Sequence, residues 1–270
     1  MTNSLLDGLV SAVTFDEGTY SGNVADDLSG NGNHVTKASG SIFGEESDVR
    51  GQSMRINTNN TQQASIPAGI FSGEQTGFAT YFWSRLNHND NDRARLFGIS
   101  NTGVSHFTSL LGVAILAREL TTTYHTVVNG SRVDSGAVMP VGEWIPILIN
   151  FKDGVIKFYI NRELVRTTEV SSLNIAGEIR FTNMGGSGAR WRAGASIDEF
   201  NLWNRGLSNS EVDYLLTDKL YSFDDFVSGG PPSNNFVRKN GIFVPVSTGI
   251  KSGSSFISTT TLIKKDGIWT

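Results

Sequence analysis

The side chains best suited to holding a cation cluster at two places far apart in the chain. Near the start stand Asp16 and the run Asp27-Leu28-Ser29-Gly30-Asn31-Gly32-Asn33-His34, and near residue 200 stands Asp198. Hard divalent cations such as calcium take about six to eight oxygen ligands. Asp16, Asp27, Asn33 and Asp198, with backbone carbonyls near Asn31 and Asn33, would therefore form a metal set if the first and last strands are neighbours. The same residues also have a structural use. Asp27 can organise loop amides as an Asx turn, and Asp198 can be hydrogen-bonded or ion-paired at a strand end.

A second constellation lies in Met184-Gly185-Gly186-Ser187-Gly188-Ala189-Arg190-Trp191-Arg192. Trp191 flanked by Arg190 and Arg192 offers a ring face for a pyranose and donors for its hydroxyls, the usual mixture in a sugar site. The alternative is a ring that packs inward over the core. Trp83, Trp144 and Trp203 lie in strand-like runs and are expected in the core. His88-Asn89-Asp90-Asn91-Asp92-Arg93 lacks the central Gly and distal Glu of an EF-hand loop and reads as a solvated hairpin tip. His34, His106 and His125 share no ligand spacing. No G-x-S-x-G elbow, Walker loop or H-E-x-x-H pair is present.

The elements that must position these residues are short and β-rich. The chain has 270 residues, with 30 Gly, 6 Pro and no Cys, so disulfides and thiolate chemistry are excluded. A net charge of −4 without a basic, aromatic-interleaved run argues against a nucleic-acid partner. No stretch reaches the roughly 18 apolar residues of a membrane helix, and no secretion signal is expected at the start. Apolar runs at Leu9–Phe15, Phe78–Leu86, Ala94–Ile99, Gly112–Ala117 and Ile145–Phe151 predict strands. Lys152-Asp153-Gly154 predicts a hairpin into Val155–Ile160, and Asn161-Arg162-Glu163 a turn into Leu164–Val170. Ser208-Asn209-Ser210-Glu211 is a capping box that predicts one short helix. Residues 223–235, with Gly229-Gly230-Pro231-Pro232, read as a linker between a domain at 1–222 and a β tail at 236–270. Within the tail, Phe236–Pro245 and Leu262–Trp269 look like two copies of a hairpin.

Three segments carry a family resemblance. Val13-Thr14-Phe15-Asp16-Glu17-Gly18, Asp27 to His34 and Gly194 to Ser208, which includes Ile197-Asp198-Glu199-Phe200 and Trp203-Asn204-Arg205, resemble the opening, loop and closing segments of the laminin-G-like, concanavalin A-like family. The resemblance implies an all-β fold, a two-sheet antiparallel jelly-roll sandwich, and structural calcium near Asp27. β-Glucan-cleaving enzymes of this fold share an E-x-D-x-x-E strand whose carboxylates act as nucleophile and acid. Glu211-Val212-Asp213 approaches it, but Leu216 stands at the last position, so no enzyme activity is expected. Lys239-Asn240-Gly241-Ile242-Phe243 and Lys265-Asp266-Gly267-Ile268-Trp269 resemble the endings of many phage virion proteins. The combination implies a non-catalytic structural or recognition protein on the virion surface, with other virion proteins as partners, glycans as ligands and a homo-oligomeric, trimeric state. The alternatives are a carbohydrate-binding or adhesion module at a bacterial cell surface and a glycan hydrolase.

Overall fold

Ile145, Ile147, Ile149 and Phe151 alternate with Pro146, Leu148 and Asn150, a period of two that gives one strand two distinct faces. In the computed structural model this strand is Trp144–Lys152. Its neighbours are set by turn chemistry. Asp153-Gly154 and Asn161-Arg162 take positive φ, closing the two-residue loops that pair Trp144–Lys152 with Val155–Ile160 and the latter with Glu163–Glu169. Asn129-Gly130 does the same between Thr123–Val128 and Ser131–Val138.

The structure describes residues 4–37, 41–47, 51–56, 64–87, 93–100, 112–118, 123–138, 140–175, 177–181, 195–217, 236–239, 242–245, 250–252, 255–257, 264–265 and 268–269. Two antiparallel sheets form the body. One runs Glu163–Glu169, Val155–Ile160, Trp144–Lys152, Gly77–Leu86, Ala195–Trp203, Gln52–Ile56 and Ser41–Glu46, with Leu9–Val13 also paired to Ala195–Trp203. The other runs Ser131–Val138, Thr123–Val128, Gly112–Arg118, Arg93–Ser100, Ile179–Phe181, Ala64–Ile66, Val35–Lys37, Val24–Ala25 and Tyr20–Ser21. First and last strands are neighbours, and the expected two-sheet jelly-roll sandwich is what the chain forms.

The inner faces share one core in which aromatic rings meet across the sheets. Phe181 meets Phe200 edge-on at 4.8 Å, and Phe82 lies 6.0 Å from Phe97. The outer face of the eight-stranded sheet carries a second apolar layer, with Tyr81, Trp83, Leu148 and Trp203 under Leu5, Leu207, Val212 and Leu215. The helix Asn209–Leu215 supplies Val212 and Leu215 to this layer, and its capping box of Ser208 with Glu211 is formed as expected. Trp83 and Trp203 are buried, but outside the space between the sheets; Trp144 is only half-buried beside them. Trp203 donates its indole N–H to the Leu5 carbonyl at 2.7 Å, which ties the chain start to the closing strand.

In the tail the two expected hairpins are present as Phe236–Lys239 with Ile242–Pro245 and Lys264–Lys265 with Ile268–Trp269. A third, Ile250–Ser252 with Ser255–Ile257, stands between them. The expected linker at 223–235 lies outside the described residues.

Candidate functional site

Asp27 is the organiser of the first loop. One carboxylate oxygen accepts the N–H groups of Ala12 and Ser29, each at 2.9 Å, and the other accepts that of Asn33 at 2.9 Å. Gly30 and Gly32 adopt positive φ, which lets the chain curl round this carboxylate. Asn33 donates its side-chain amide to the Val10 carbonyl at 2.6 Å, and Asn31 donates to that of Leu9 at 3.0 Å. Ser11 returns a bond from its hydroxyl to the Asn33 carbonyl. His34 accepts the Asp27 N–H on Nδ1. The Asp27-to-His34 run is therefore stitched along the first strand.

Asp198 is fully buried in the closing strand. It accepts the Ser47 hydroxyl at 2.7 Å and the N–H of Glu199 at 2.8 Å. Glu199 has φ of 51°, and the pairing to Gly77–Leu86 skips from Asp198 opposite Trp83 to Asn201 opposite Tyr81. This bulge sets two residues against one and lets Phe200 enter the core. Asp16 accepts the Gln52 N–H at 2.7 Å, while the Ser47 N–H donates to the Gly51 carbonyl. Gly51 has positive φ, and a Cβ there would collide with the Asp16 carboxylate. Asp16 and Asp198 thus grip the two ends of one turn.

The four residues expected to share a calcium separate into two networks, Asp27 with Asn33 on the first strand and Asp16 with Asp198 on the 47–52 turn. Asp27 already accepts three N–H donors, and the Asn33 amide is spent on a carbonyl. Among the described residues no group of three or more His, Asp or Glu side chains is placed to hold a metal ion. This donor set does not fit a calcium site made of those four residues.

Arg205 and Glu211 form a bidentate ion pair in the closing segment, with Nη2 to Oε1 at 2.7 Å and Nη1 to Oε2 at 3.0 Å. Burial raises the Glu211 pKa, but hydrogen bonds from Arg205 and from the Ser208 N–H and hydroxyl outweigh it and hold the carboxyl at about 2. Glu211 is therefore a cap and ion-pair partner rather than a proton donor. Burial pushes the Tyr124 phenol well above its ordinary range, so this ring is neutral core.

Trp191, Arg190 and Arg192 lie outside the described residues. A row of one half-buried ring and three polar side chains, which the strand pattern did not single out, crosses three strands on the outer face of the eight-stranded sheet. Trp144 pairs with Arg85, and Arg85 with Ser196. The Arg85 guanidinium sits 5.1 Å from the Trp144 ring centre and its Nε donates to Asn87 Oδ1. Asn87 in turn donates to the Ser196 hydroxyl at 3.0 Å. The alternation of Trp144 with Ile145 and of Arg85 with Leu86 was the available signal, since it places ring and guanidinium on the face away from the core.

A family model described as the concanavalin A-like lectin/glucanases superfamily matches residues 57–213, more than half of the chain. No curated protein matches the sequence. Several solved structures share the fold. The binding domain of Paraclostridial Mosquitocidal Protein 1 is 19% identical with a TM-score of 0.58, over 78% of this chain and 52% of that one. Trypanosoma rangeli sialidase in complex with sialic acid is 13% identical with a TM-score of 0.63, over 81% and 34%. A structure of botulinum neurotoxin type C, whose cell entry depends on interaction with two ganglioside molecules, is 14% identical with a TM-score of 0.60, over 81% and 53%. This chain corresponds to between a third and about half of each of those chains, and at such identities the likeness is one of fold. By the extent of the family match and the two-sheet jelly roll it forms, the chain belongs to the concanavalin A-like lectin/glucanase superfamily.

Proposed function

We propose that this chain is a non-catalytic recognition protein that binds glycan through its sandwich and is displayed on a bacteriophage virion. The observation that carries the first part is the use of three of the four buried acids among the described residues. Asp27, Asp198 and Glu211 each accept backbone N–H groups, with a Ser hydroxyl added at Asp198 and an arginine at Glu211. Carboxylates tied down in this way hold loops and caps, whereas glycoside hydrolysis needs a pair free to exchange protons or attack carbon. Fold neighbours that hold sialic acid or depend on gangliosides for cell entry support glycan as the ligand class. Among the described residues the row of Trp144, Arg85 and Asn87 offers the required chemistry, joining a half-buried ring to a guanidinium and a side-chain amide, and the sequence Arg190-Trp191-Arg192 offers a second ring between two cationic donors. Placement on a virion rests on the likeness of the tail endings to phage proteins.

A glycan array with wild type, Trp144→Ala and Trp191→Ala tests this reading. Saturable binding to a glycan class, weakened at least tenfold by one of the two variants, is expected. Release of reducing ends from any bound glycan would overturn the non-catalytic part, and no binding across the array would overturn the ligand class. Detection of the chain in purified phage particles by mass spectrometry tests the virion part.

A further inference from the structure

The three tail ladders share one register. Lys239 pairs with Ile242 around Asn240-Gly241, Ser252 with Ser255 around Gly253-Ser254, and Lys265 with Ile268 around Asp266-Gly267. The two residues between each innermost pair begin at 240, 253 and 266, a constant interval of 13 residues. One step further from the loop a basic residue stands opposite an aromatic in all three: Arg238 with Phe243, Lys251 with Phe256, Lys264 with Trp269. A second step gives Val237 with Val244 and Ile250 with Ile257. Residues 236–248 and 249–261 are thus copies of one unit, and 262–270 are the first nine residues of a third.

Among the described residues each ladder is a two-stranded sheet of its own, so each of its strands lies at an edge. A lone hairpin is marginal in water, because it buries too little to offset the order it imposes; a third strand or a packed face is needed. A repeated unit that cannot bury its apolar face alone gains stability by stacking on others like it. The unit itself names the occupant: identical register, loop length and paired positions recur three times, so like units present matching edges and faces to one another.

We propose that residues 236–270 are a homotypic assembly element, in which 13-residue hairpin units from several copies of this chain pair and stack and thereby hold the sandwiches in an oligomer. The tail carries five Lys and Arg against one Asp, or +4, within a chain of net −4, so residues 1–235 carry −8. Like-charged tails repel, and added salt screens that repulsion. Self-association through the tail therefore persists or tightens as salt rises. Docking of the tail on an acidic partner would weaken instead.

Light scattering during size exclusion, at ~0.1 M and ~1 M salt, tests the proposal on the full chain, on a chain stopped after residue 235, and on two internal deletions. The full chain is expected to be oligomeric at both salts and the stopped chain monomeric, with an unchanged circular dichroism signature of the sandwich. Deleting 249–261 removes one whole unit and should leave an oligomer. Deleting 249–255 breaks the period and should weaken assembly at least tenfold. A monomeric full chain, an oligomer that survives removal of the tail, or one that dissociates as salt rises would overturn the proposal. Glycan binding by the monomeric sandwich is a separate readout, so failure here leaves the recognition reading standing.

Discussion

Asp198 holds the Ser47 hydroxyl at 2.7 Å while Asp16 holds the Gln52 N–H at 2.7 Å, so carboxylates from the two ends of the sandwich domain fasten opposite ends of one turn. Gly51 sits in that turn with positive φ and no room for a side chain beside Asp16. Gly51→Ala should therefore destabilise by about 2 kcal/mol or more, combining backbone strain with displacement of the carboxylate. Urea unfolding measures it; an unchanged midpoint would show that the turn contributes nothing.

Asp198→Ala should cost about 2–4 kcal/mol, because the Ser47 hydroxyl and the Glu199 N–H lose an acceptor in a buried place. Asp27→Ala leaves three backbone N–H groups without their acceptor and should cost a similar amount. Asp27→Asn, which keeps one oxygen for two of them, should fall between. Thermal melts of the three variants rank them directly.

Calcium should change little. With Asp27 already accepting three N–H donors, neither added calcium nor a chelator should move the wild-type melting temperature by more than about 1 °C, equivalent to a few tenths of a kcal/mol for a domain of this size. A rise of several degrees with calcium, abolished in Asp27→Asn, would contradict the network described here.

The Arg205–Glu211 pair predicts a specific acid response. Glu211 is depressed from the ordinary 4.5 to about 2 in the folded chain, so its contribution is fully present above about pH 4.5 and is lost as pH falls towards 2. Glu211→Gln should be less stable than wild type by about 1–2 kcal/mol at neutral pH, a figure lowered for the partial exposure of Arg205. The difference should shrink across that window in pH-dependent unfolding. A constant difference would place the effect in helix capping alone.

Trp203 joins packing to a hydrogen bond. Trp203→Phe keeps an aromatic ring in the layer under the helix but leaves the Leu5 carbonyl without its donor, and should cost about 1–3 kcal/mol. Proteolysis should then cut sooner near the chain start in the variant than in wild type.

Much of this was legible because it is local. Asp-Gly at 153–154 demands a tight turn, alternation along Ile145–Phe151 gives a strand two faces, and Ser208 with Glu211 caps a helix; each depends on residues within a few positions. The middle tail hairpin escaped because Gly253-Ser254 carries a weaker turn signal than Asn240-Gly241 or Asp266-Gly267, although its 13-residue spacing from both was present in the sequence. The tryptophans were correctly read as strand residues and only partly correctly as core. Alternation says that Trp83 and Phe82 face opposite ways, but not that a helix covers the second face.

The sequence by itself determined the sandwich, its hairpins, its cap and the three segments that mark the family, since periodicity and turn chemistry are properties of neighbouring residues. Only the tertiary structure decided what Asp16, Asp27 and Asp198 do. A carboxylate offers the same oxygens to a cation or to backbone N–H groups, and the choice depends on which strand folding brings beside it. Here the first strand delivers its amide to Asp27 and the 47–52 turn delivers donors to Asp16 and Asp198, so all three carboxylates accept hydrogen bonds from the protein itself.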